Sequence, residues 1–260
     1  MMKPSIRIVV GALVVCVCLV AVAVAWAGET VTVHASFTPE KLGGSTNLSA
    51  TATFGSNTAN PQSPVVKVTA YGPAGMSVDT RGAGTCTATL ATLEETGPSA
   101  CPADSRVGFG NGVGLFEIAK EVLPEHFTLE FFLAPPEHGH LVMLIYVNSA
   151  TPASDQKALV AREVQGPKPY GIGISFEIPI SGQLTLPGAP LGWEEHVSFT
   201  LGATNVAYYK TIHGKRKLVH VKGIVLPKTC PHGGFPIEAQ VGFADGTMTT
   251  TTSTVPCPGK

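Results

Sequence analysis

The sequence predicts an all-β protein, an antiparallel β-sandwich of Ig-like or jelly-roll-like kind with at most one or two short helices. Three observations predict it. Short segments alternate apolar with polar residues and are rich in Val, Thr and Phe. Turn-forming residues separate them, with 29 Gly and 21 Pro in 260 residues. Helical periodicity is nearly absent. Disorder is excluded, because 44% of residues are hydrophobic and the net charge is only −1.

The N-terminus has a separate role. Lys3 and Arg7 precede an uncharged apolar stretch from Ile8 to Ala27, which ends in the small-x-small sequence Ala25-Trp26-Ala27. A basic start, an apolar run and such an end form a secretory signal, with cleavage expected after Ala27. The alternative is an uncleaved membrane anchor, since the run is long enough to span a bilayer. Both place the remainder outside the cytoplasm, secreted or attached to the cell surface.

Residues 28–260 are expected to form one large β-sandwich domain. The alternative is two Ig-like domains meeting near 123–136. Removing Lys3 and Arg7 leaves 15 basic against 18 acidic side chains. That near-neutral balance gives no argument for nucleic acid as a partner.

The strands follow in order. Residues 30–37 alternate and are β-branched; 46–54 put Leu48, Ala50, Ala52 and Phe54 on one face. Further strands are expected at 65–71, 127–133, 141–148, 158–164, 171–178, 197–206, 217–226, 237–244 and 248–255. In the last pair, Ile237, Ala239, Val241 and Phe243 share a face, and Asp245-Gly246 suits a type I′ hairpin turn. Two short helices are candidates. One covers 87–95, with Leu90 and Leu93 inward and Gly97-Pro98 as its stop; the other covers 116–122.

Four cysteines remain outside the N-terminal segment: Cys86, Cys101, Cys230 and Cys257. An even count outside the cytoplasm points to two disulfides, for which three connectivities exist. Chain order favours Cys86–Cys101 and Cys230–Cys257. The last hairpin supports the second pair, because both cysteines fall near its open end. The rival is a zinc site, which no Cys-x-x-Cys pair supports.

Two stretches carry a resemblance. Cys86 to Gly108 reads Cys-x3-Leu-x10-Cys-Pro-x-x-Ser-x-Val-Gly, and the C-terminus contains Asp245-Gly246-Thr247 followed by Val255-Pro256-Cys257. These motifs resemble a pattern in uncharacterised exported β-rich proteins of actinobacteria. The resemblance implies export and a β-rich fold, and no activity.

Candidate sites stand beside plainer readings. His138 and His140 could chelate a metal from one strand face; the plainer reading is an exposed turn after Pro135-Pro136. Trp193 could stack on a sugar, with Glu194, Glu195 and His196 for acid–base chemistry. Adjacent strand residues point to opposite faces, so Glu194 and Glu195 make a poor pair. Lys215, Arg216 and Lys217 lie in a basic stretch from Lys210 to Lys222 without an acidic residue. They could meet an anionic cell-envelope polymer or lipid surface, or simply protect a sheet edge. Gly108, Gly110, Gly112 and Gly114 alternate, but the spacing of a nucleotide loop is missing. On a strand they would admit close approach by another backbone.

The expected function is non-enzymatic binding or surface structure, with a cell-envelope polymer or surface protein as partner. No cofactor is expected, and membrane contact is expected only through an uncleaved N-terminal segment. The second hypothesis is a secreted carbohydrate-active or other hydrolase using 193–196. A hydrolase predicts a concave pocket joining distant polar groups, whereas a binding module predicts a flat or gently curved face.

Overall fold

The computed structural model describes residues 28–57, 61–118, 120–150, 154–180, 191–203 and 206–258. The expected signal segment and its cleavage site lie outside the described residues. Among the described residues no helix is long and apolar enough to cross a membrane.

The fold is all-β and antiparallel, as the alternation predicts. Strands β1 (Glu29–Thr38), β2 (Ser45–Ser56), β3 (Val65–Pro73) and β4 (Ser77–Asp79) precede the one α-helix among the described residues, α1 (Leu90–Thr96). There follow β5 (Arg106–Ile118), β6 (Glu121–Leu133), β7 (Val142–Ser149), β8 (Asp155–Gln165), β9 (Tyr170–Glu177) and β10 (Leu191–Leu201). The chain ends with β11 (Ala207–Ile212), β12 (Lys215–His220), β13 (Gly223–Val225), β14 (Phe235–Phe243) and β15 (Met248–Val255).

Thirteen of these strands form one sheet, and β11 and β12 form a separate ribbon. The central order is β1-β2-β10-β5-β6-β7-β8-β9-β3-β14-β15. The sheet curls until β1 lies against β15, where Thr249 Oγ1 donates to the Glu29 carbonyl at 2.6 Å. Strand β6 occupies most of 123–136 and pairs along its length with β5 and β7. Strand β3 is inserted between β9 and β14, far from its sequence neighbours.

Inward side chains build the main core. Leu129, Phe131 and Leu133 on β6 meet Met143 and Ile145 on β7 and Leu159 on β8. Alternation fails on β7, where Val142 to Tyr146 are all buried. The reason is a second layer. Helix α1 covers the outer face there, and Leu93 packs with Phe132, Leu144, Tyr146 and Ala158. A strand covered on both faces reads as a continuous apolar run.

The helix has the predicted stop. Thr89 caps it by accepting from the Thr92 N–H at 3.1 Å, and Gly97 ends it at φ +68°. Leu93 is fully buried, but Leu90 is exposed at its start, contrary to expectation. The Cys86–Cys101 disulfide brackets this layer, and Cys230–Cys257 links the loop before β14 to the end of β15. The Cys-Pro-x-x-Ser motif is structural here: Ser105 is fully buried and its hydroxyl donates to the Pro102 carbonyl at 2.6 Å.

Four further expectations need correction. The helix proposed at 116–122 is instead the end of β5 and the start of β6, paired as Phe116↔Leu123 and Glu117↔Val122. The strand expected at 197–206 begins earlier, at Leu191, and ends at Leu201. The strand expected at 217–226 divides into β12 and β13, which join different sheets. The Asp245-Gly246 turn is not type I′, because only Gly246 has positive φ, at +86°. Phe243 N–H donates to Thr247 O and Gly246 N–H to Phe243 O, which makes a three-residue loop closed by a left-handed glycine. Asp245 selects it by accepting from both the N–H and the hydroxyl of Thr247.

Candidate functional site: an apolar cavity inside the sheet

The curled sheet surrounds a cavity of about 330 Å³, partly open to solvent, whose lining draws on ten strands. A smaller space of about 130 Å³ adjoins it and shares Leu48, Ala70, Phe199 and Leu201 as walls. The cavity exists because many inward positions are small. Ala35 on β1 is paired with Ala50 on β2, and Ala52 and Ala70 also line the space. A sheet this wide surrounds more volume than such side chains fill.

The glycines of β5 belong to the same interior. Gly108, Gly110, Gly112 and Gly114 pair with Leu201, Phe199, Val197 and Glu194 on β10. On the other side they pair with Phe131, Leu129, Phe127 and Glu125 on β6. The bulky inward residues therefore flank a bare strip. A Cβ on Gly110 would lie 2.8 Å from Phe199 Cβ, and one on Gly112 would overlap the Phe127 ring. Close approach, the ordinary reason for strand glycine, applies at these two positions. Gly114 differs, because a Cβ there would meet nothing nearer than the Trp193 carbonyl at 3.3 Å.

Polar groups gather toward one end. Glu194 and Glu125 flank Gly114 in register, so both carboxyl-bearing chains leave the same sheet face. Two strand spacings separate their backbones by roughly 9.5 Å. In the neighbouring rows Ser149 pairs with Asp155, and Asp155 holds the Lys157 ammonium at 3.3 Å.

Glu194 faces inward because of a bulge. The register of β10 against β5 shifts between Glu194 and His196, leaving Glu195 as the extra residue. A bulge reverses the alternation beyond it. Val197, Phe199 and Leu201 point in, and after the bulge the inward positions become Glu194 and Gly192. The Glu194 carboxylate accepts from the Val65 N–H at 3.0 Å, and its backbone carbonyl accepts from Gln62 Nε2 at 3.1 Å. Its side chain lines the cavity. Burial raises its pKa above the usual carboxylate value, and the Val65 hydrogen bond only partly opposes that.

The residues singled out from sequence are thus dispersed. Glu194 lines the cavity, and Trp193 borders it beside the bulge. Glu195 is exposed, and neither it nor His196 lines the cavity. His138 and His140 lie in an exposed turn between β6 and β7, where Glu137 and His140 form a bridge. His140 Nδ1 lies 3.4 Å from Glu163. Among the described residues no group of three His, Cys, Asp or Glu side chains is placed to hold a metal ion. Lys215, Arg216 and Lys217 lie on the separate ribbon, all exposed. The cavity itself and Glu125 escape sequence reasoning. Their signal is the run of inward Ala and Gly on β2 and β5, which becomes meaningful only once the sheet closes.

Fold and site together define an all-β, disulfide-linked protein with an internal apolar cavity. A scan of protein-family models and searches of curated proteins and of solved structures return no match to this chain.

Proposed function

We propose that this is an extracytoplasmic binding protein that takes a small apolar molecule into the curled sheet. The cavity carries this reading: its volume of about 330 Å³ falls at the lower end of ligand-pocket size. Leu48, Phe54, Phe127 and Val197 offer an apolar wall, and Glu194 and Glu125 offer polar groups at one end. The ligand class that suits this lining is a hydrocarbon or aromatic body with one hydrogen-bonding end. Export is supported by the Lys3–Ala27 signal pattern and by two disulfides, which persist in oxidising compartments. The resemblance to exported β-rich actinobacterial proteins agrees with it.

The test is native mass spectrometry of protein from the extracytoplasmic fraction, with titration of a fluorescent fatty-acid probe. Saturable one-to-one binding is expected. Absence of both a co-purifying apolar molecule and probe binding refutes the proposal.

One observation favours a second reading, hydrolysis. Glu194 and Glu125 face one interior across a single strand, the kind of opposed carboxyl pair that Glu194 and Glu195 are not. A glycoside and ester hydrolysis screen of Glu194→Gln and Glu125→Gln decides it. Turnover by the parent protein, lost in both variants, supports hydrolysis; no turnover by the parent excludes it for the substrates screened.

A further inference from the structure

The ribbon β11–β12 stands outside the cavity reading and has features of its own. Its register places Tyr209 opposite Leu218 and Thr211 opposite Arg216 on one face, with Tyr208 opposite Val219 on the other. Tyr208 packs toward the body, against the main core and beside Gly82. The Tyr209 face is therefore the outer one. Tyr209 is 60% exposed and Leu218 55%, two large apolar side chains side by side in water. The Arg216 guanidinium lies 4.1 Å from the centre of the Tyr209 ring.

Charge on this ribbon has one sign. No acidic residue occurs from Ala207 to Gly223. Lys215, Arg216 and Lys217 are exposed, and among the described residues none pairs with a carboxylate. At the ribbon base the situation differs: Arg81 is held by Asp79 at 2.6 Å, and Lys222 lies in the field of the same carboxylate. The free cations are thus concentrated toward the turn, where His213 and Gly214 take φ +50° and +72°. Both positive values define the tight hairpin turn.

Edge protection explains lysines on a ribbon, but not an exposed Tyr–Leu pair among them. An anionic polymer would engage the cations and leave the apolar pair in water. A bilayer surface engages both: cations meet the headgroup phosphates, and Tyr and Leu enter the boundary with the acyl chains. We propose that the outer face of β11–β12 docks on an anionic lipid bilayer through Arg216, Tyr209 and Leu218, while Lys215 and Lys217, which alternate to the other face but are exposed beside the turn, reach the headgroups from the end of the ribbon.

Co-flotation with phosphatidylglycerol-containing vesicles, compared with phosphatidylcholine vesicles, tests this on protein from the extracytoplasmic fraction. Preference for the anionic vesicles is expected, and it should fall with added salt. Each cation near an anionic surface contributes about five-fold in affinity. Arg216→Gln should lose about five-fold of that preference, and the triple variant Lys215→Gln/Arg216→Gln/Lys217→Gln up to roughly 100-fold. Leu218→Ser should weaken binding about five-fold with every charge intact. All four positions are exposed, so an unchanged melting temperature is expected and serves as the folding control. Three results each overturn the proposal: no preference for anionic vesicles, full retention by the triple variant, or Leu218→Ser binding as the parent does. The last, combined with competition by inorganic polyphosphate, identifies a polymer as the partner instead.

Discussion

Replacing Ala50 by leucine probes whether the interior is empty. Ala50 points inward on β2, between Ala35 of β1 and Phe199 of β10, and lines the large cavity. The change adds three carbons. At about 0.8 kcal/mol per buried carbon, insertion into unfilled apolar space contributes roughly 2.4 kcal/mol. Fixing the longer side chain costs about 0.5–1 kcal/mol, which leaves a gain of about 1.5–2 kcal/mol. For a domain of this size each kcal/mol moves the midpoint by about 2–4 °C, so a rise of roughly 3–8 °C is expected. The same carbons occupy ligand space, so a bound fluorescent fatty acid should weaken. Thermal unfolding and probe titration on one preparation give both numbers. A loss of about 1–3 kcal/mol, the usual result of overpacking a filled core, with unchanged probe affinity, refutes the reasoning.

Other outcomes are equally specific. Glu194 has a pKa raised by burial, so the native state holds its proton more tightly than the unfolded chain. Stability should therefore fall as pH rises from the ordinary carboxylate range through the raised value. Glu194→Gln should be more stable than the parent at neutral pH and equal to it in acid, as measured by urea unfolding at both; a variant less stable at neutral pH would contradict this. Gly112→Ala should cost about 1–3 kcal/mol, because its Cβ meets the Phe127 ring and lies 2.7 Å from the His196 carbonyl. Gly114→Ala, whose Cβ would lie 3.3 Å from the Trp193 carbonyl, should cost clearly less than Gly112→Ala; equal losses at both sites would deny the difference in packing. Replacing both cysteines by alanine should cost about 3 kcal/mol for Cys86–Cys101 and about 3.5 kcal/mol for Cys230–Cys257, whose separations are 15 and 27 residues. Mass spectrometry of unreduced digests checks the pairing, and a Cys101–Cys230 peptide would disprove it.

Legibility in the sequence followed locality. The β14–β15 hairpin was readable because Ile237 to Phe243 alternate strictly and its turn sits beside them. Strand β10 was misread at its start because the bulge at Glu195 breaks the alternation in Trp193-Glu194-Glu195-His196. That irregularity is what turns Glu194 inward. The 116–122 stretch was misread because a few apolar residues near a strand reversal fit either period. The candidate site was the least legible part. Whether Ala50 or Gly114 borders a void depends on what the opposite side of the sheet supplies, and those residues come from strands far away in the chain. A binding module was expected to present a flat or gently curved face; the structure instead presents a concave one lined by ten strands.

The placement of β3 between β9 and β14 has a kinetic meaning. Residues 65–73 have no hydrogen-bonded neighbours until residues 170–177 and 235–243 have arrived. A chain delivered from its N-terminus, as during synthesis, must hold this strand unpaired while most of the sequence emerges. Such long-range pairing is intrinsically slow, and bare strand edges in the meantime invite association. The polar Lys67 and Thr69 within β3 limit its stickiness during that wait. The order of assembly is thus written into the topology: the sheet cannot be completed until β14, nearly the last segment made, arrives beside one of the first.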